Sequence, residues 1–199
     1  GFSDMLEGFR RLSECPVLLG EILDVLYYNY DRIDFVDSPV DLGFECPLDL
    51  HCTYSRDQIL AALDFMKPGT VREGTKYLLD KKTDVHFVTL NKAEKDYSPT
   101  TMYEDYSINE VLFHWQSQST TSQSSTTGQR YMNHRSMGVR ELLFVREFKS
   151  GKLGAALYTF LGLADFLSVN GSKPMNITWR LHEPIPAKYL RKTNKLVVG

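Results

Sequence analysis

The chain has 199 residues, 42% of them hydrophobic and 24% charged, with a formal net charge of −2. That composition fits one globular domain with a sizeable core and argues against intrinsic disorder. No apolar run approaches the roughly 18 to 20 residues that a membrane-spanning helix needs, so a soluble, cytoplasmic protein without membrane contact is expected.

Cys15, Cys46 and Cys52 are odd in number and contain no Cys-x-x-Cys pair. This is the pattern of reduced thiols rather than of a disulfide framework. His51 adjoins Cys52, but the set is incomplete for zinc, and no metal or other cofactor is expected. The small net charge conceals a gradient: residues 1–65 carry 4 basic and 13 acidic side chains, residues 66–128 carry 7 and 8, and residues 129–199 carry 12 and 4. A basic carboxy-terminal part suits a phosphate backbone, although solvated surface has the same composition.

In chain order, Phe2, Met5, Leu6, Phe9 and Leu12 fall at helical spacing. Pro16 opens a second helix with Leu19, Ile22, Leu23, Leu26, Tyr27 and Tyr30 on one side. These helices belong either to the core or to an interface. Gly1, Phe2 and Ser3 precede the first methionine, Met5, which lies inside the first helix, so the chain reads as a piece of a longer protein. Residues 34–47 are a connector by their Asp, Pro and Gly content.

Ser55 to Gln58 form a capping box before a helix whose apolar face is Ile59, Leu60, Leu63 and Met66, ending at Lys67, Pro68 and Gly69. Gly69 to Lys76 imitates a phosphate-binding loop, but Thr75 precedes Lys76 and no apolar strand leads in, so nucleotide binding there is excluded.

From residue 84 the period becomes two: Val85, Phe87 and Thr89; Val111, Phe113 and Trp115; Leu142, Phe144 and Arg146; Met175, Ile177, Trp179 and Leu181. These predict half-buried antiparallel strands, with a hairpin at Asn170 and Gly171 and a stop at Pro184 and Pro186. The fold class is α+β: a curled antiparallel sheet or distorted β-barrel with an amino-terminal helical segment. Residues 118–129, QSTTSQSSTTGQ, are low in complexity and are either disordered or a polar loop able to enter a groove.

Catalytic grammar is missing. His114, His134 and His182 accompany no Gly-x-Ser-x-Gly elbow or His-Glu-x-x-His helix, and Asp84 to Glu94 and Lys95 has the wrong interval for a metal nuclease. The chain itself is not expected to be an enzyme. Binding asks less, because reading a flipped-out base needs stacking faces, edge hydrogen bonds and a closed pocket. Tyr97, Tyr103, Tyr106 and Trp115 can supply faces, Asp105 or Asp96 can accept an exocyclic amine, and Ser98, Thr100 and Thr101 can meet the remaining acceptors. Each ring can equally be core, Trp115 in its alternating strand above all. Lys92, Lys95, Gln118, Arg130, His134, Arg135 and Arg140 flank this segment as candidate DNA-backbone contacts, which position a duplex without specifying its sequence.

The blocks TDVHFVTLNKAEKDYSPTTMYEDYSINEVLFHWQSQSTT, GQRYMNH, LLFVREFK, YTFLGLADF and MNITWRLHEPIPAKYLRK, spanning residues 54–192 in order, carry a family resemblance. They resemble the carboxy-terminal domain appended to superfamily 2 helicases that also carry a phospholipase-D-type nuclease, as in SauUSI-type modification-dependent (type IV) restriction endonucleases. The resemblance implies an SRA/PUA-like domain over residues 51–199, preceded by a helical linker or coupler over residues 1–50. It also implies recognition of 5-methylcytosine or 5-hydroxymethylcytosine in DNA by base flipping. The implied partners are modified DNA and the helicase and nuclease domains of the parent chain. A PUA-like RNA or single-strand binder and a helicase-docking structural module are the alternatives.

Overall fold

The computed structural model describes residues 4–30, 38–91, 105–151, 154–187 and 189–190. Helix α1 (Met5–Ser13) starts where the Asp4 side chain accepts the Glu7 N–H at 2.9 Å, and Pro16 sits at the head of α2 (Pro16–Tyr30). Neither helix buries a residue. Val17, Val25, Leu26, Tyr27, Tyr28 and Tyr30 all stand more than half exposed, so α2 is apolar without serving the core of the described residues.

The remaining elements are β1 (Thr53–Tyr54), α3 (Arg56–Ala62), β2 (Thr75–Leu78), β3 (Thr83–Asn91), β4 (Tyr106–Ser107), β5 (Leu112–Gln116), α4 (Thr126–Asn133), β6 (Arg140–Phe148), β7 (Ser150–Gly151), β8 (Gly154–Ala155), β9 (Tyr158–Asn170) and β10 (Asn176–Leu181). The fold is α+β, with one large sheet in the order β2-β3-β6-β9-β10-β5-β4 and β1 added beside β9. The capping box at Ser55 and Gln58 is complete, and β9 and β10 pair as the predicted hairpin.

One pairing departs from expectation. β3 and β6 run parallel, from Thr83 opposite Arg140 to Asn91 opposite Phe148, and the long crossover between them carries β4, β5 and α4. Parallel pairs suit strands covered on both faces. β3 is buried without a break from Thr83 to Thr89, which is more than the half-burial that alternation predicts.

Two apolar clusters explain the double coverage. Val85, Phe87, Leu142, Phe144 and Phe160 pack on one face against Ile59 and Leu60 of α3, Leu63 at its carboxyl end, and Leu42 and Leu48. Val88, Leu143, Val145, Ile177 and Trp179 pack on the other face with Trp115 of β5 and Tyr131 of α4. Leu42 and Leu48 therefore join the core, although the sequence groups them with the helical segment; packing with the domain is already in place from about the bridge of Pro39 to Asp49.

The second face is the concave one. β9 carries register shifts opposite Leu143/Phe144 and opposite Thr178/Trp179, and Gly162 takes φ 88° at the first. Such bulges bend a strand and add twist. The curl brings Trp115 of β5 edge-on to His86 of β3, ring centroids 4.6 Å apart, although β6, β9 and β10 lie between them in the sheet. No ladder joins the two edges among the described residues, so the sheet is open rather than a closed barrel.

The low-complexity stretch is ordered. Ser125 caps α4 by accepting the Gly128 N–H, Thr121 is buried, and Gln118 bonds Thr75. Gly128 is fixed by contact: a Cβ there would lie 2.0 Å from the Ser122 carbonyl oxygen. Gly128→Ala is expected to cost about 1 to 3 kcal/mol through forced backbone displacement, read as a lower urea midpoint at unchanged slope.

Candidate functional site

Where the curled sheet fails to close, a cavity of about 880 Å³ opens between the start of β2, the carboxyl ends of β3 and β6, and the end of β5. Its size lies in the upper part of the range of about 300 to 1,000 Å³ common for small-molecule sites. Phe87, Trp115 and Tyr158 supply aromatic wall, and Asp105 and Glu73 supply carboxylates. Asp105 is 7% exposed and accepts the Gln116 N–H at 2.8 Å. Gln116 in turn donates from Nε2 to Asn176 Oδ1 at 2.7 Å, which ties the carboxylate's support to β10. Arg56 and Arg146 line the same space, with Arg72 and Lys149 at its exposed rim.

The arginines are held from behind. Arg56 donates to the Val71 carbonyl at 3.1 Å and to the Tyr158 hydroxyl at 3.3 Å, with its guanidinium 4.9 Å from the Phe87 ring centroid. Arg146 donates to Thr89 Oγ1 at 2.9 Å and the Ala156 carbonyl at 3.3 Å, with its guanidinium 4.4 Å from the Tyr158 centroid. Planar cations stacked on rings keep their orientation at low entropic cost.

Of the residues named from sequence, Asp105, Trp115 and Gln118 line the cavity. Trp115 is both core and wall: it is 5% exposed and touches His86, Tyr131 and Trp179. Tyr106 lies elsewhere, stacked on His114 at 4.7 Å and 15°. Tyr97, Ser98, Thr100, Thr101, Tyr103, Lys92, Lys95 and Asp96 fall outside the described residues.

The expected backbone contacts do not gather at the cavity. Arg130 reaches inward and grips Asp84 through Nε at 2.5 Å and Nη2 at 3.0 Å, over the Tyr77 ring. His134 is 3% exposed, with Nδ1 on the Val139 carbonyl and Nε2 accepting the Phe166 N–H, and burial lowers its pKa, so it presents no cation to a phosphate. Arg135 is exposed but pairs with Asp165, which His182 also contacts at 2.8 Å. Arg140 lies over Phe44 and donates to Lys81's carbonyl. Basic residues at the cavity are instead Arg56, Arg72, Arg146 and Lys149, none of them a named candidate. One signal was available: Arg146 continues the inward register of Leu142 and Phe144, an unusual place for a cation.

Behind Trp115 lies a buried polar cluster. Asp84 and Glu141 face each other across the β3–β6 pair, Arg130 neutralises Asp84, and Glu141 Oε2 meets His86 Nε2 at 2.6 Å with both side chains fully buried. Burial drives the His86 pKa down to about 3, helped chiefly by the Arg130 charge. Burial, with the Asp84 charge adding, holds Glu141 well above the ordinary carboxylate range. The contact is therefore a neutral acid against a neutral imidazole.

That assignment has a sign that can be measured. Above the unfolded carboxyl pKa near 4.5, the unfolded chain releases the Glu141 proton while the fold retains it, so this group destabilises the fold increasingly as pH rises. Glu141→Gln removes the effect. Its stability relative to the parent protein should improve from pH 4.5 upward, by at most about 1.4 kcal/mol per pH unit, in urea titrations repeated across pH.

Fold and cavity together describe an α+β domain whose open sheet seam forms a cavity with aromatic and cationic lining. A protein-family model described as a domain of unknown function, DUF3427, matches residues 48–192, and the chain belongs to that family. No curated protein matches the chain.

Proposed function

We propose that the domain reads 5-methylcytosine or 5-hydroxymethylcytosine in DNA, taking the flipped base into the seam cavity, on behalf of helicase and nuclease domains in a parent type IV restriction enzyme. The observation that carries this reading is that Asp105, an acceptor for an exocyclic amine, and Trp115, a stacking face, line one cavity. The ordered family blocks and the strongly curled sheet, which suits an SRA/PUA-like architecture, support it further. Arg72 and Lys149 at the rim are the cations best placed to meet the phosphate backbone.

Burying one methyl group is worth about 1 kcal/mol, or five- to tenfold. Methyl contact alone therefore gives modest discrimination, and stronger selectivity requires that unmodified cytosine leave a void against the aromatic wall. The exposed apolar side chains of α2 suit docking to the other domains of the parent, with the two amino-terminal helices as coupler.

2-Aminopurine beside the target cytosine reports extrusion directly, because its fluorescence rises when its stacking neighbour leaves. The rise is expected with a 5-methylcytosine target and not with cytosine. Binding without any rise would remove base flipping from the proposal.

A further inference from the structure

We infer that the seam cavity contains a phosphate subsite formed by Arg56 and Arg146, so that the ligand held there is a nucleotide with its phosphate rather than a base alone. The inference rests on the reading of the cavity as a nucleotide-base site and extends it to a second part of the ligand.

Three observations carry it. First, both guanidiniums touch Tyr158, Arg56 at its hydroxyl and Arg146 over its ring, so the two cations sit on one side chain. Their hydrogen bonds go to carbonyl and hydroxyl oxygens, and among the described residues neither forms an ion pair with a carboxylate. Arg130 and Arg135 differ in this respect, each being paired with an aspartate. The Glu73 charge also reaches Arg56, but it is hydrogen-bonded to neither Arg56 nor Arg146, so two cations converge on one side chain with donors an anion can bridge. Glu73, also in the lining, directs its carboxylate to the Arg72 N–H at 3.2 Å.

Second, the geometry is set before any ligand arrives. Each guanidinium uses part of its donor fork on fixed oxygens and its face on a ring, leaving other N–H groups of the five for a ligand. Preorganised forks bind phosphate oxygens through short, charge-assisted hydrogen bonds.

Third, the cavity is roomy. At about 880 Å³ it greatly exceeds the needs of one pyrimidine ring, and its lining divides chemically, with Asp105, Trp115 and Gln118 from the β5 side and Arg56, Arg146 and Tyr158 from β9 and the elements beside it. A base at the first group and its phosphate at the second use both.

The test is equilibrium binding to the full chain, followed by tryptophan fluorescence. The four probes are 5-methyl-2′-deoxycytidine, its 5′-monophosphate, 2′-deoxyadenosine and its 5′-monophosphate. Each monophosphate is expected to bind at least about tenfold more tightly than its nucleoside, the effect of one or two hydrogen bonds between charged groups. Arg146→Gln should sharply reduce that ratio, and Arg146→Lys should restore part of it.

Equal affinity for nucleoside and monophosphate in the unaltered protein, with methylcytidine still preferred over adenosine, overturns the subsite and spares the base reading. A retained monophosphate advantage with no preference between the bases supports the subsite and counts against cytosine recognition. Absence of binding by all four probes overturns both. Because the ratio is measured first on the unaltered protein, the outcome does not depend on whether a variant folds.

Discussion

Asp84→Ala is expected to lower the unfolding free energy by about 3 kcal/mol. Asp84 is 1% exposed and holds the Arg130 guanidinium through two hydrogen bonds, while the Arg130 side chain is only 12% exposed. Removing the carboxylate strands a cation at the edge of the concave core, facing Tyr77 and Tyr131, with Glu141, which burial holds protonated, as the other acid of the cluster. The cost is that of an uncompensated charge, and it exceeds the worth of the intact pair. An Asp84→Leu, Arg130→Met double variant should therefore recover most of the loss, because it removes both charges and keeps the volume. Urea denaturation of the single and double variants decides the matter. A double variant as unstable as Asp84→Ala would show that packing, not charge, dominates at this position.

Asp105→Ala is expected to weaken binding to a duplex containing 5-methylcytosine by about ten- to a hundredfold, the loss of one hydrogen bond to a charged acceptor in a buried setting. The same change leaves the Gln116 N–H without its acceptor, so some stability is lost as well. Asp105→Asn separates the two effects. It keeps an oxygen for Gln116 but removes the charge and introduces a donor on the side meant to face the base amine. If Asp105→Asn folds like the parent protein and still loses affinity, the carboxylate acts on the ligand; if it retains full preference for the methylated duplex, the base sits elsewhere.

Much of the fold was legible because local signals agreed with the tertiary outcome. Ser55 and Gln58 announce a helix start through side chains that satisfy nearby amides, and the structure contains that box intact. The alternation of Ile177 and Trp179 with Asn176 and Thr178 likewise survives as the inward and outward faces of β10. What alternation does not encode is partner choice, and the parallel pairing of β3 with β6 depends on contacts far apart in sequence. The low-complexity run leaves order and disorder open for a related reason: serine and threonine supply caps and turn bonds as well as disorder, and only packing against Thr75 and Met175 distinguishes the two.

The site was only partly legible. Asp105 and Trp115 stand out by residue type, and both reach the cavity. Arg130 and His134 were attractive for the same reason yet turn inward, since net charge along a chain says nothing about which cations a neighbouring carboxylate or backbone has already engaged. Arg56 was hidden inside a capping box, where local helix grammar accounts for every residue and leaves no reason to assign a second role.

The central claim is recognition of a modified cytosine, and gel-shift titration of the full chain against two duplexes of identical sequence, one carrying 5-methylcytosine and one not, tests it most directly. The account predicts tighter binding to the methylated duplex, by about five- to tenfold from methyl burial alone and more if the empty pocket is penalised. Equal affinity for the two duplexes would contradict it.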